Sequence, residues 1–132
     1  MAERKVVVSV RELHKSFGQK KILDGINLDI YAGETFVIMG PSGCGKSTLL
    51  QHIIGALRPD AGQVLFGDKD LALLSEDEKD AIRKRFGMSF QSSALLDSLT
   101  VGENVSLPLR EHTQLDPNIV SIMVNMKLDL VG

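Results

Sequence analysis

The sequence predicts an α/β sandwich, and three observations carry that prediction. Thr35-Phe36-Val37-Ile38-Met39 is a short run apolar on both faces, the pattern of a strand buried inside a parallel sheet. It runs into a glycine-rich turn and then a helix whose Leu49, Leu50, Ile53, Ile54 and Leu57 form a wide apolar stripe. The segments on either side alternate apolar and polar residues, as half-buried strands do.

In chain order, Lys5 to Leu13 reads as a strand with Val6, Val8 and Val10 on one face and Val7 and Ser9 on the other. Ile26, Leu28 and Ile30 alternate with Asn27, Asp29 and Tyr31 in a second, antiparallel-type strand. The stripe of the helix after the glycine turn leaves Gln51 and His52 facing away. Pro59, Gly62 and Gly67 punctuate a short strand at Gln63–Phe66. Ser75-Glu76-Asp77-Glu78 is a capping box that starts a helix ending near Arg85, and Gly87–Gln91 reads as another inner strand. Thr100-Val101-Gly102-Glu103 is a second capping box. Asp116-Pro117 opens a last helix with Ile119, Ile122, Met123, Met126 and Leu130 on one face.

Composition bounds the function. Of 132 residues 43% are hydrophobic, enough for a core, and the net charge of −2 gives no global attraction to nucleic acid. The one compact basic cluster, Arg83-Lys84-Arg85, falls late in a predicted helix, where cations complement the dipole on a solvated face. A single cysteine, Cys44, forms no intrachain disulfide and fits a reducing compartment. No apolar stretch approaches the ~20 residues that span a bilayer, so a cytosolic chain docking onto a membrane partner is expected.

Gly40-Pro41-Ser42-Gly43-Cys44-Gly45-Lys46-Ser47 matches the P-loop spacing G-x-x-x-x-G-K-[ST]. Glycines at 40, 43 and 45 let the backbone turn successive N–H groups inward as an anion nest, and the helix starting near Ser47 adds its positive end. Lys46 supplies a point charge for the β- and γ-phosphates and Ser47 a hydroxyl ligand for Mg²⁺, while Thr48 can bond the α-phosphate. The motif sits between an apolar strand and an amphipathic helix, which is the context that separates it from chance. Cys44 is a small filler in this loop, and as a thiol beside Lys46 also a candidate for oxidative inactivation.

These residues carry a resemblance. Gly40 to Thr48, with Leu49-Leu50 and Pro59-Asp60-x-Gly62 after it, closely resembles the Walker A region of ATP-binding-cassette (ABC) ATPases. His14-Lys15-Ser16-Phe17-Gly18 looks like the family's A-loop, which implies that Phe17 stacks on adenine. Phe90-Gln91, about 45 residues after Lys46, resembles the Q-loop, whose glutamine contacts Mg²⁺ and the region of the attacking water. The segment from Phe90 through Val105 and on to Pro108–Thr113 resembles ATPases of Mla/Mce-type lipid transporters, in which it forms part of the groove for a permease's coupling helix.

The resemblance implies an α/β P-loop NTPase of the ABC type: a mixed sheet with an antiparallel β subdomain and the start of a helical subdomain, truncated. Residues 1–91 form the β subdomain and P-loop core, and 92–132 begin the helical subdomain. Catalytic roles fall on Lys46 and Gln91. Nucleotide contacts fall on Phe17, Gly40, Ser42, Gly43, Cys44, Gly45, Lys46, Ser47 and Thr48, and metal contacts on Ser47 and Gln91. The cofactors are ATP and Mg²⁺. The partners are a transmembrane permease, met through the segment after Gln91, and a second ATPase protomer, without nucleic acid. The location is the inner face of the cell membrane, and the transported substrate is phospholipid.

The family's signature motif, Walker B strand with catalytic glutamate, D-loop and switch histidine belong after position 132. His14, His52 and His112 come too early for the switch and read as exposed or partly buried. Asp60, Asp68, Asp70 and Asp97 read as turn formers. The 132 residues alone are therefore not expected to hydrolyse ATP, and the buried strand 35–39 is expected to have an apolar edge open to pairing. The competing reading is a short nucleotide-binding module without turnover. A soluble ABC ATPase of DNA repair or translation would need a coiled coil or tandem cassette, and the spacing of Phe17, Walker A and Phe90-Gln91 argues against a P-loop kinase or GTPase.

Overall fold

The computed structural model describes residues 4–90, 92 and 94–132. Contacts divide it into two compact units, one ending at Phe86 and one beginning at Gly87.

The first unit is built on β1 (Val6–Phe17) and β2 (Lys20–Tyr31), a long hairpin, with β3 (Ala61–Phe66) and β4 (Lys69–Asp70). The sheet order is β2-β1-β3-β4, and every neighbour is antiparallel. Alternation puts Val8 and Val10 in the core, but Glu12 would be the next inward residue. Its backbone instead takes φ 44°, a bulge that shifts the register and turns Leu13 inward, where it is fully buried. The bulge brings two backbones together: a Cβ on Gly62 would lie 2.0 Å from the Glu12 carbonyl oxygen, so only glycine fits there. Asp29 ties the two long strands, accepting hydrogen bonds from Ser9 and Arg11.

α1 (Lys46–Ile53) and α2 (Glu76–Arg83) complete this unit, Leu49 and Ile53 from the first and Ile82 from the second joining the core. α2 starts at the predicted capping box, Ser75 and Glu78 bonding each other's backbone N–H. Arg83, Lys84 and Arg85 do not form a free basic patch. Arg83 pairs with Glu76 and Asp80 and donates to the Gly55 carbonyl, while Arg85 lies over the Phe66 ring.

Three expectations are overturned. Thr35–Met39 is not a strand: no described strand pairs with it, and Phe36, Val37 and Met39 are exposed by 42, 65 and 86%. A strand needs a hydrogen-bonded neighbour, and the described pairings join only β1 with β2, β1 with β3 and β3 with β4. The mixed sheet is therefore present only as its antiparallel part, and of the strand expected at Gly87–Gln91 the described residues, 87–90, form none. His52, expected to face outward, is 1% exposed. Leu49, His52 and Ile53 are three and four apart and define the inward face of α1, leaving Leu50 half-exposed.

The second unit pairs α3 (Val101–His112) with α4 (Pro117–Asp129). The Thr100–Glu103 capping box and the Asp116 cap before Pro117 form as expected. α4 buries Val120 and Val124; Ile119, Ile122, Met126 and Leu130 of the expected face are exposed. The expected apolar row was read from hydrophobicity alone, and the inward direction is set by where α3 lies.

Candidate nucleotide site

The turn 40–45 leads into α1 through Gly45, at φ 100°. A Cβ there would lie 3.0 Å from Ile22 and Leu23 side-chain carbons, so glycine lets the loop pack directly on β2. No side chain caps α1, which leaves the N–H groups of its first turn, in Lys46, Ser47 and Thr48, without a capping acceptor. Gly43 (φ 77°) and Gly45 supply the left-handed turns that a nest requires.

A cavity of about 180 Å³ lies over this helix start, lined by Phe17, Ile22, Gly43, Gly45, Lys46, Ser47 and Thr48. The end of β1 thus delivers its aromatic ring to the wall of the glycine loop. Lys46 Nζ donates to the carbonyls of Gly40 (2.9 Å) and Pro41 (2.7 Å) and lies 3.6 Å from Cys44 Sγ. The ammonium is the one ionised side chain among these lining residues, so the cavity has the chemistry of an anion site at one end and an aromatic wall at the other.

Of the residues expected to meet the nucleotide, Phe17, Gly43, Gly45, Lys46, Ser47 and Thr48 come together. Gly40 contributes its carbonyl to Lys46, and Ser42 and Cys44 are exposed outside the lining. Gln91 lies outside the described residues. Two participants were not read from the sequence. Ile22 is a wall residue whose only signal is its position three before Gly25 on an apolar strand. His52, on α1, donates its Nδ1–H to the Thr48 carbonyl at 2.7 Å, and its Nε2 is buried without a partner among the described residues. Asp60 is also more than a turn former. It accepts from Lys15 and from the Ser16 N–H, and these bonds hold its carboxyl below the usual carboxylate range, Lys15 contributing most.

The antiparallel sheet, glycine loop and uncapped helix define a P-loop nucleotide-binding fold. The family model described as "ABC transporter" matches residues 23–130, and the chain belongs to that family. The intermembrane phospholipid transport system ATP-binding protein MlaF of Haemophilus influenzae is 44% identical over 126 residues, 96% of this chain and 48% of its own. A probable ribonucleotide transport ATP-binding protein, mkl, of Mycobacterium leprae is 43% identical over 127 residues, 96% of this chain and 37% of its own. Among solved structures, the ATP-binding cassette MJ0796, a dimer in a post-hydrolysis state bound to ADP and Pi, superposes with TM-score 0.81. It is 32% identical and covers 92% of this chain and 56% of its own. The chain spans about half the length of the curated relatives it matches.

Proposed function

We propose that this chain forms the ATP-binding face of an ABC transporter ATPase and that the complete protein drives phospholipid transport across a cell envelope. The observation that carries the reading is the single cavity joining Phe17 to the Gly43–Thr48 loop. It combines an aromatic ring, which suits a base, with a glycine loop and a lysine, which suit phosphates. The free N–H groups at the start of α1 receive phosphate oxygens, and Lys46 leaves the Gly40 and Pro41 carbonyls to pair with them. Ser47 would hold Mg²⁺ through its hydroxyl, and the metal would supply charge neutralisation for phosphoryl transfer. Phe17 stacks on the base.

No carboxylate lines the cavity, so the described residues furnish binding and part of the charge stabilisation. The base that orients water comes from outside them, Gln91 contributes at the Mg²⁺, and a second protomer closes the site. The dimeric cassette neighbour supports the second protomer. The segment after Gln91 is the docking region for a transmembrane permease, which places the protein at the inner face of the membrane. Among the described residues no helix is long and apolar enough to cross a membrane itself. Phospholipid as cargo is supported by the phospholipid transport relatives at 42–44% identity.

Nucleotide-dependent stabilisation tests the site. Ligand at a hundred times its Kd should stabilise the protein by about 2.7 kcal/mol. Lys46→Ala should lose that gain in thermal melts with Mg-ATP while melting normally without nucleotide. Equal stabilisation of variant and parent would sink the assignment.

A further inference from the structure

At the far end of β1, five contacts tie residues 14–17 to Arg58 and Asp60 or to the Phe17 ring. Lys15 Nζ donates to Asp60 Oδ1 at 2.8 Å and to the Arg58 carbonyl at 3.1 Å. The other oxygen of Asp60 accepts the Ser16 N–H at 2.7 Å, and the Asp60 N–H donates to the His14 carbonyl at 3.0 Å. The same ammonium stands 5.6 Å from the centroid of the Phe17 ring. Lys15 is a largely covered cation, its side chain 14% exposed, whereas Phe17 is half open and forms a wall of the loop cavity.

We propose that Lys15 and Asp60 are positioning residues for base recognition, holding the Phe17 ring at the end of the cavity and polarising it for stacking. This rests on the reading of Phe17 as the base platform. Among the described residues, Asp60 is the only group touching both the backbone beside Phe17 and the cation against its ring. One carboxylate therefore fixes where the ring starts and what stands against it. An ammionium-type charge beside an aromatic face draws electron density toward itself, which favours stacking of an electron-rich purine on the ring. The pair touches none of the loop residues that line the phosphate end, so its effect should fall on the base and spare the phosphates.

Titration calorimetry on the full chain with Mg-ATP and, separately, Mg-tripolyphosphate reads the two ends of the site apart. Lys15→Met and Asp60→Asn should each weaken ATP about threefold to tenfold and leave tripolyphosphate within about twofold. The double variant should be no worse than the weaker single, because both act through one network. Lys15→Arg keeps a cation within reach of the same acceptors and should stay within about twofold of the parent. It also covers the case in which Lys15→Met fails to fold. Phe17→Ala serves as the reference, with ATP weakened and tripolyphosphate spared. Parallel losses for both ligands, or no loss in Lys15→Met and Asp60→Asn while Phe17→Ala loses ATP, would overturn the positioning role alone. An unchanged ratio in Phe17→Ala would overturn the base platform and the positioning role together.

Discussion

The Val6–Val10 start of β1 and the run Thr35–Met39 read alike, both rich in β-forming apolar residues, yet the structure treats them oppositely. Val10 and Leu13 are fully buried between two partner strands, whereas Val37 and Met39 are exposed by 65 and 86% and have no ladder partner among the described residues. Hydrophobicity is a property of the segment, but burial belongs to the pair. β1 has one neighbour supplied by a tight hairpin, close in sequence and cheap to bring together, and a second, β3, that pairs with it from about fifty residues away. The apolar run reaches the glycine loop with its own backbone unpaired. What it shares with β1 is composition, and composition alone does not make a strand.

The largest test of this contrast is truncation. Leu13→Ala should destabilise the chain by about 2–5 kcal/mol in urea unfolding, because it empties a fully packed position. Met39→Ser, at an equally apolar sequence position, should change stability by no more than about 0.5 kcal/mol. Comparable losses would show that the run is buried in solution. Hydrogen exchange sharpens the same point: amides of Val8 and Val10 should be protected, and those of Val37 and Met39 should exchange at nearly the rate of an open chain.

A smaller effect comes from acid. Asp29 is held below the ordinary carboxylate range by hydrogen bonds from Ser9 first and Arg11 second, and Asp60 by Lys15 and the Ser16 N–H. The capping carboxylates Glu78 and Glu103 are lowered mainly by the backbone N–H of Ser75 and Thr100. A carboxyl lowered on folding contributes stability above its unfolded value, 3.8 for Asp and 4.5 for Glu. That contribution is lost as pH falls through the folded value. Melting temperature should hold steady at neutral pH and fall on acidification through this window, with Asp29→Asn showing a shallower fall. A rise in stability on acidification would contradict the assignment. The exposed run carries no such tie, so its exchange should not respond to acid beyond the intrinsic chemistry.

The parts of the molecule that were legible in the sequence are those whose signals are local. The glycine spacing at 40, 43 and 45 encodes a turn that needs only its own residues, and the capping boxes at Ser75 and Thr100 close within four positions. The misreadings all depend on a packing partner outside the segment itself. Whether 35–39 becomes a strand depends on a neighbour, and which face of α1 or α4 turns inward depends on what lies beneath it. The apolar stripe of α1 leaves His52 facing away, whereas the packing of Leu49 and Ile53 on the same face directs that row, His52 included, into the core. The wall residue Ile22 and the double grip of Asp60 are likewise invisible until β1, β2 and the turn after α1 are brought side by side.

The contact between Gly62 and the Glu12 carbonyl has an evolutionary consequence. Position 62 is open to solvent, as are Ala61 and Gln63 beside it, and surface sites of that kind ordinarily drift. Here the smallest possible change, one methyl group, collides with backbone that cannot step aside without undoing the bulge that turns Leu13 inward. A map of tolerated substitutions would thus show a single forbidden column standing among permissive ones. The genetic record of a buried leucine is written at an exposed glycine.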